Sequence, residues 1–347
     1  MKRKIVQLNI DELRPGMVVV NEVQQNRKVL IAKDTILTES ILDQLKNLYI
    51  LEKIEVYEEY KSNQYKAIKN LEHKFNEISF SLQQVYMNIN ALQKNNIREV
   101  KELCTKIQNE KQESSTIIKN VVFYGSKNDP IYRHCINVAT LSNLIGKWIG
   151  LEENKLNLLT YAAIMHDIGK VKIDSKITKK IKPLTVSEQE VMQTHCVLGY
   201  NIIKDINFLD KSVGQAILMH HEREDGSGYP LGLTGDKIFD FSKIIAIADV
   251  FDLLNSNRYL KLSNGPFETI KIIKNESFSK LDYKYCDIFI KNLLNYYIGE
   301  NVLLNTDEIC QIIQMDINNL ERPLILKQDE FIDLRQHKEL YIKSLIV

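Results

Sequence analysis

Between residues 119 and 300 one apolar segment after another is spaced for helix rather than strand. "HCINVATLSNLIGKWIG", "KLNLLTYAAIMHD", "SEQEVMQTHCVLGYNIIK", "VGQAILMHH" and "SKIIAIADVFDLL" each place apolar residues three and four apart, with Gly, Pro and Asp at the joins. Helices that follow one another this closely bury their apolar faces only against each other, so this block predicts a helical bundle. At 347 residues the chain exceeds one ordinary domain, and its 44% hydrophobic and 26% charged residues are those of a globular protein.

The flanks differ in texture. Residues 1–60 alternate short apolar runs ("GMVVVNEV", "KVLIAKDTIL", "KIEVYEE") with turns at Pro15-Gly16 and Lys33-Asp34 and one helix-like stretch, "ESILDQLKNLYI", which predicts a small α+β module. Residues 61–118 read as long polar helix. There Leu71, Phe75, Ile78, Leu82, Val85, Ile89 and Leu92 follow steps of four and three, a heptad seam, and Val100, Leu103 and Ile107 resume the pattern after "KNNI". Such a seam serves either a homodimer through the 71–92 helix or a signalling helix between two domains, or else packing on its own chain. Residues 301–347 ("VLLNTDEICQIIQMD", "RPLILKQDEF", "LYIKSLIV") predict a short β extension.

Bulk properties narrow the partners. With 46 basic against 45 acidic residues the net charge is +1, which offers no bulk grip on nucleic acid or anionic lipid. No apolar run approaches the roughly 18–20 residues of a membrane span, and the basic start has no apolar stretch of signal-peptide length behind it, so the expected location is the cytoplasm. The five cysteines (Cys104, Cys135, Cys196, Cys286, Cys310) are scattered without a CxxC pair, the pattern of reduced thiols rather than a disulfide or zinc framework.

Five of the seven histidines (His134, His166, His195, His220, His221) fall in the helical block, at helix ends or beside acids. His166 and Asp167 close an apolar helix ahead of Gly169, where an imidazole and a carboxylate can turn toward one pocket. That mixed nitrogen and oxygen set suits iron or manganese, admits zinc, and disfavours metals that seek thiolate. Asp249 lies in the otherwise apolar "KIIAIADVFDLL", where an uncompensated carboxylate would cost several kcal/mol to bury; a cation, a backbone cap or an arginine would each compensate it. "HHEREDGSGYP", residues 220–230, crowds this polarity beside glycines that let the backbone turn sharply.

Together His134-x-x-Asn137-Val138, "HDIGK", His195 in "THCVLGY", "HHEREDGSGYP" and "IADVFDLLNSNRYLK" resemble, in order and spacing over residues 119–300, the HD-GYP family of HD-domain metal phosphohydrolases. The resemblance implies an HD-type helical bundle and a cyclic di-GMP phosphodiesterase that uses a metal-activated hydroxide. It implies two divalent metal ions, iron or manganese, with zinc, magnesium and nickel as alternatives. One ion falls to His134, His166, Asp167 and Asp249, and the other to His195, His220 and His221, with Asp167 bridging. Lys170 would stabilise charge on the scissile phosphate, Tyr229 would face a base or phosphate or else pack under its loop, and Arg258 and Lys261 would hold the dinucleotide phosphates. Lys176, Lys179, Lys180 and Lys182 form a basic run that either steers an anion or is a solvated loop.

Three positions depart from the family pattern. Pro130 stands where a glutamate would serve a third metal, which points to two metals and a product of pGpG rather than GMP; Asp129 is next door. Tyr259 replaces the proline after the phosphate-binding arginine, and Lys243 replaces an arginine ahead of Asp249. Competing readings are hydrolysis of another cyclic dinucleotide such as 3',3'-cyclic GMP-AMP, hydrolysis of another nucleotide, and a signalling scaffold without catalysis.

Overall fold

Helices build most of the computed structural model, and small antiparallel sheets lie near both ends of the chain. It describes residues 5–346 except 14–16, 26–27, 32, 34, 36, 38–40, 43–44, 46–52, 58–61, 88–93, 111–113, 127–128, 130, 181–182, 205, 207–208, 257–266 and 328–329. The Pro15-Gly16 turn, Asp34, Ile89, Leu92, Pro130, Lys182, Arg258, Tyr259 and Lys261 therefore lie outside the described residues.

The chain divides into two compact units, residues 1–72, 262–268 and 293–347 in one and 73–261 and 269–292 in the other. The sequence reads as four consecutive segments with bounds at 60, 118 and 300, and both β-rich end segments fall in the first of these units. In that unit β1 (Ile5–Leu8), β5 (Ile54–Tyr57) and β2 (Val18–Val19) form an antiparallel sheet with β5 in the middle, and β3 (Val23–Gln25) pairs with β4 (Lys28–Ile31). Alternate residues of β5, Ile54 and Val56, point into a core with Leu13, Val19, Ile31 and Leu37, which is the period of two that the sequence carries. Near the other end β6 (Asn301–Leu304), β7 (Ile309–Gln314), β8 (Leu324–Lys327), β9 (Glu330–Asp333) and β10 (Ile342–Ile346) form a five-stranded sheet in the order β10-β6-β7-β8-β9.

The second unit is helical. Its elements are α1 (Ser62–Met87, which begins in the first unit), α2 (Lys94–Gln108), α3 (Ser114–Tyr124), α4 (Tyr132–Trp148), α5 (Glu153–Met165), α6 (Ser175–Thr178), α7 (Val186–Gln193), α8 (His195–Ile203), α9 (Lys211–Met219), α10 (Asp240–Asn255), α11 (Glu268–Glu276) and α12 (Tyr283–Leu294). Every residue of α4 from Arg133 to Gly146 is buried, because α5 and α10 both pack on it. Helix α9 packs on α5 and α8, and a 3-10 turn at Ile168–Lys172 lies directly on α8.

The described seam residues Leu71, Phe75, Ile78, Leu82 and Val85 are buried within the single chain. Tyr86 on α1 donates from its hydroxyl to the Ile164 carbonyl of α5 (2.8 Å), and the Arg133 guanidinium of α4 lies 4.8 Å from the centre of the Phe75 ring. Packing on its own chain, one of the roles open to such a seam, is thus enough to bury these residues.

Candidate metal centre

The polar residues singled out in the sequence converge at the helix ends. His134 sits in the first turn of α4, His166 and Asp167 follow α5, His195 opens α8, His220 and His221 follow α9, and Asp249 lies within α10. All are buried except His221, whose side chain is 16% exposed and so opens the cluster to solvent on that side. Glycine makes the convergence sterically feasible. A Cβ on Gly169 would lie 1.9 Å from the His195 carbonyl oxygen and 2.6 Å from the Gly199 nitrogen, so only glycine lets the turn after Asp167 rest on α8.

Hydrogen bonds then set which way each imidazole presents itself. The Nδ1 atoms of His166, His195 and His220 lie 2.7 Å from the carbonyl oxygens of Ala163, Met192 and Ile217, three residues back in each case. A carbonyl only accepts, so each Nδ1 carries the proton and each Nε2 faces the cluster as a bare lone pair. His195 Nε2 and His220 Nε2 stand 3.3 Å apart, and neighbouring rings run edge to face from His134 through His166 and His220 to His195. His166 Nε2, Asp167 Oδ1 and Asp249 Oδ2 are buried without a hydrogen-bond partner. Asp167 Oδ1 is 3.4 Å from His195 Nε2, but two acceptors form no hydrogen bond.

His134 is fixed differently. Its Nε2 is 3.0 Å from Asp249 Oδ1, and its Nδ1 is 2.7 Å from Asp252 Oδ2. Asp252 is itself held by the Ser126 hydroxyl (2.9 Å) and the Asn137 amide (2.6 Å). Sequence reasoning missed Asp252, although the signal was there: a second carboxylate three residues after Asp249 in the same apolar helix shares its face.

Electrostatics sort the groups by neighbours. Burial pushes His166, His220 and His221 below the ordinary histidine range and His195 down to about 4, keeping these rings neutral. Burial opposes charge on His134 too, but the hydrogen bonds to Asp249 and Asp252 prevail and push it up to about 9. Burial works against ionisation of Asp167, yet Lys170 and the surrounding histidines hold its carboxyl well below the usual carboxylate range. Lys170 donates to Asp167 Oδ2. Neutral imidazoles with inward lone pairs, ionised carboxylates and orphaned buried oxygens constitute a donor set that divalent cations would satisfy. Two groups have ligand atoms within 4.8 Å of one another: His134, His166 and Asp167, and His195, His220, His221 and Cys196.

The glycine-rich loop packs against the second group. The Tyr229 ring stacks on His221 (centroids 4.7 Å, planes 28° apart), and Tyr229 N donates to the His221 carbonyl (3.2 Å). A Cβ on Gly228 would meet the His221 carbonyl oxygen at 2.4 Å, and buried Glu222 accepts from Leu231 N (2.7 Å) and Leu233 N (2.9 Å), holding the loop to its helix. In the basic run Lys180 pairs with Glu188 (2.8 Å), while Lys243 pairs with Glu224 (3.0 Å) and Asp282 (3.4 Å). Asp129 accepts from Tyr132 N (3.0 Å) and Ile131 N (3.3 Å) through one oxygen, at the start of α4, and from the Ser79 hydroxyl of α1 through the other, so both oxygens are engaged.

A family model described as an HD domain matches residues 92–284. The chain is 31% identical over 204 residues to the cyclic di-GMP phosphodiesterase PdeB of Borreliella burgdorferi, covering 58% of this chain and 53% of that protein. It is 34% identical over 187 residues to the 3'3'-cGAMP-specific phosphodiesterase 1 of Vibrio cholerae, covering 52% of this chain and 42% of that protein. The chain thus spans about half the length of these relatives. Among solved structures, Bd1817, a HDG"Y"P protein from Bdellovibrio bacteriovorus, superposes with a TM-score of 0.54 at 19% identity, covering 84% of this chain and 99% of that one, a likeness of fold.

Proposed function

We propose that this chain, which belongs to the HD domain family and to its HD-GYP group, is a metal-dependent phosphodiesterase that opens cyclic di-GMP. The observation that carries this reading is the ring of four buried imidazoles whose inner nitrogens converge on carboxylate oxygens without hydrogen-bond partners. His134, His166, Asp167 and Asp249 would hold one divalent ion and His195, His220 and His221 a second, with Asp167 between them and iron or manganese as the expected metals. Such ions supply Lewis acidity toward phosphoryl oxygens and a nucleophile from water at neutral pH.

The chain's own groups do the rest. Asp252 holds the His134 ring in place, and backbone carbonyls lock His166, His195 and His220 with Nε2 inward, so the donors need no rearrangement. Lys170, paired with Asp167, sets a cation where charge builds on the phosphate. Tyr229, stacked on His221, offers an aromatic wall for a base, and Arg258 and Lys261 would grip the second phosphate. Hydrolysis would stop at pGpG, because Pro130 has no carboxylate for a third ion and Asp129 is engaged with Ser79 and the start of α4. Five free, buried cysteines support a reducing compartment, the cytoplasm. The homodimer through 71–92 has no part in this reading, since the described seam residues are already buried.

The likeness to a 3'3'-cGAMP-specific enzyme makes that dinucleotide the competing substrate. The deciding experiment incubates the full chain with each dinucleotide and Fe(II) or Mn(II) without oxygen, followed by chromatography. Cyclic di-GMP should be consumed fastest, with pGpG accumulating, and Asp167→Ala should abolish turnover. Preference for cyclic GMP-AMP would reassign the substrate, and an active Asp167→Ala chain would refute the metal mechanism.

A further inference from the structure

Next to His195 the sequence carries a cysteine, and the sequence alone assigns it no role beyond that of a reduced thiol. The structure puts it inside the cluster. Cys196 is fully buried, and its Sγ lies 3.5 Å from His195 Nε2. One ligand atom each from His195, Cys196, His220 and His221 falls within 4.8 Å of the other three. Beside them Asp167 Oδ1, 1% exposed in its side chain and without a hydrogen-bond partner, faces His195 Nε2 at 3.4 Å.

A buried thiol can instead be an inert small hydrophobe. This sulfur, however, lies close to three imidazoles, of which His195 and His220 turn bare nitrogens inward. A thiol proton could satisfy one of those nitrogens weakly and would leave the other bare. A cation satisfies all four donors at once.

We propose that Cys196 is a metal ligand in this chain, its thiolate joining His195, His220 and His221 around one cation so that this subsite prefers Zn(II) or Fe(II) to Mn(II). The thiol proton passes to solvent as the cation enters, and the sulfur then donates as thiolate. On this proposal the sequence reading, which set aside metals that seek thiolate, would hold only for the other half of the centre. The other half, with His134, His166, Asp167 and Asp249, keeps a nitrogen and oxygen set. One protein would therefore offer a softer and a harder subsite side by side.

This inference rests on reading the cluster as a metal centre, and the test separates the two. The full chain is loaded with Zn(II), and the zinc X-ray absorption fine structure is recorded. A sulfur shell at about 2.3 Å, besides nitrogen and oxygen at about 2.0–2.1 Å, is expected. Zinc bound by nitrogen and oxygen alone would overturn the proposal while leaving the phosphodiesterase standing, and a chain that retains no metal would overturn both. In parallel the Co(II) form should show a near-ultraviolet sulfur-to-cobalt band that is lost in Cys196→Ser and kept in Cys135→Ser. Persistence of the band in Cys196→Ser would also overturn it. The native-chain measurement decides on its own if that variant fails to fold.

Discussion

Replacing Gly169 by alanine tests whether the close seating of the HD turn on α8 sets the geometry of the centre. The added Cβ would lie 1.9 Å from the His195 carbonyl oxygen, 2.6 Å from the Gly199 nitrogen and 2.8 Å from the His195 carbonyl carbon. Ordinary contact begins at 3.4 Å, so the turn and α8 must separate by 3.4 − 1.9, or about 1.5 Å. All three obstacles are backbone atoms, which no rotamer change removes. Overpacking of this kind costs about 1–3 kcal/mol, which for a unit of this size lowers Tm by several degrees, on the order of 4–8 °C for 2 kcal/mol. The catalytic cost is larger, because the same separation pulls Asp167 from His195, now 3.4 Å apart, and a misplacement of about 1 Å costs on the order of 100-fold in rate. Thermal melts, metal per chain and the rate of cyclic di-GMP cleavage should thus show a folded protein with a modest loss of Tm and a rate down by about 100-fold. Gly214→Ala is the comparison, since its Cβ would meet only side chains, Tyr200 at 3.3 Å and Ile203 at 3.6 Å. A Gly169→Ala chain with rate and metal content within a few-fold of the parent would refute the reasoning, because the chain would then have found room without opening the centre.

Asp252→Asn keeps the shape of the side chain but removes the charge that orients His134, so metal affinity should fall about 10–100-fold in chelator competition; unchanged affinity would mean that the contact is incidental. In chelated protein, the folded His195 holds its proton affinity at about 4 while the unfolded side chain titrates near 6.5, so the unfolded state binds the extra proton and stability falls as pH drops from 6.5 through 4. At pH 5 this one residue costs about 2 kcal/mol relative to neutral pH. His134 acts in the opposite sense: its folded value of about 9 gives stability fully present below pH 6.5 and lost as pH rises through 9. Urea midpoints of the chelated chain at pH 7 and pH 5 check the balance, and a midpoint higher at pH 5 would show that His134 outweighs the neutral histidines.

The seven candidate metal ligands were legible because each sits at a helix end or interrupts an apolar face, where a polar residue is conspicuous against its neighbours. Asp252 was less so, since it contacts no other candidate along the sequence and gains its meaning only from His134, 118 residues away. Cys196 was invisible for a related reason. Adjacent residues on a helix diverge, so nothing in "THCVLGY" says that Sγ and His195 Nε2 share a pocket; the approach of α9 brings His220 and His221 to both. The heptad seam shows the converse limit. Its spacing reveals an apolar stripe but not what covers it, and here much of the cover comes from helices of the same chain. The mainly helical fold with β elements near both ends was readable from periodicity, whereas no local pattern encodes that both β-rich ends fall in one unit.

The hydrogen bonding of the centre runs opposite to what stability alone would favour. Around its rim, hydrogen bonds hold three Nδ1 atoms on helix carbonyls, Asp252 on Ser126 and Asn137, and Glu222 on two loop amides. At its middle the pattern reverses, with His166 Nε2, Asp167 Oδ1 and Asp249 Oδ2 left bare and two imidazole nitrogens 3.3 Å apart. Each unsatisfied buried polar group costs about 1–3 kcal/mol, more where it is charged. The satisfied rim keeps these side chains from turning away from one another. The rim therefore holds these acceptors together, where a cation would satisfy several of them at once. Preorganisation for cations thus lies in the frame, which makes the helix ends and Gly169 as much a part of the centre as the histidines themselves.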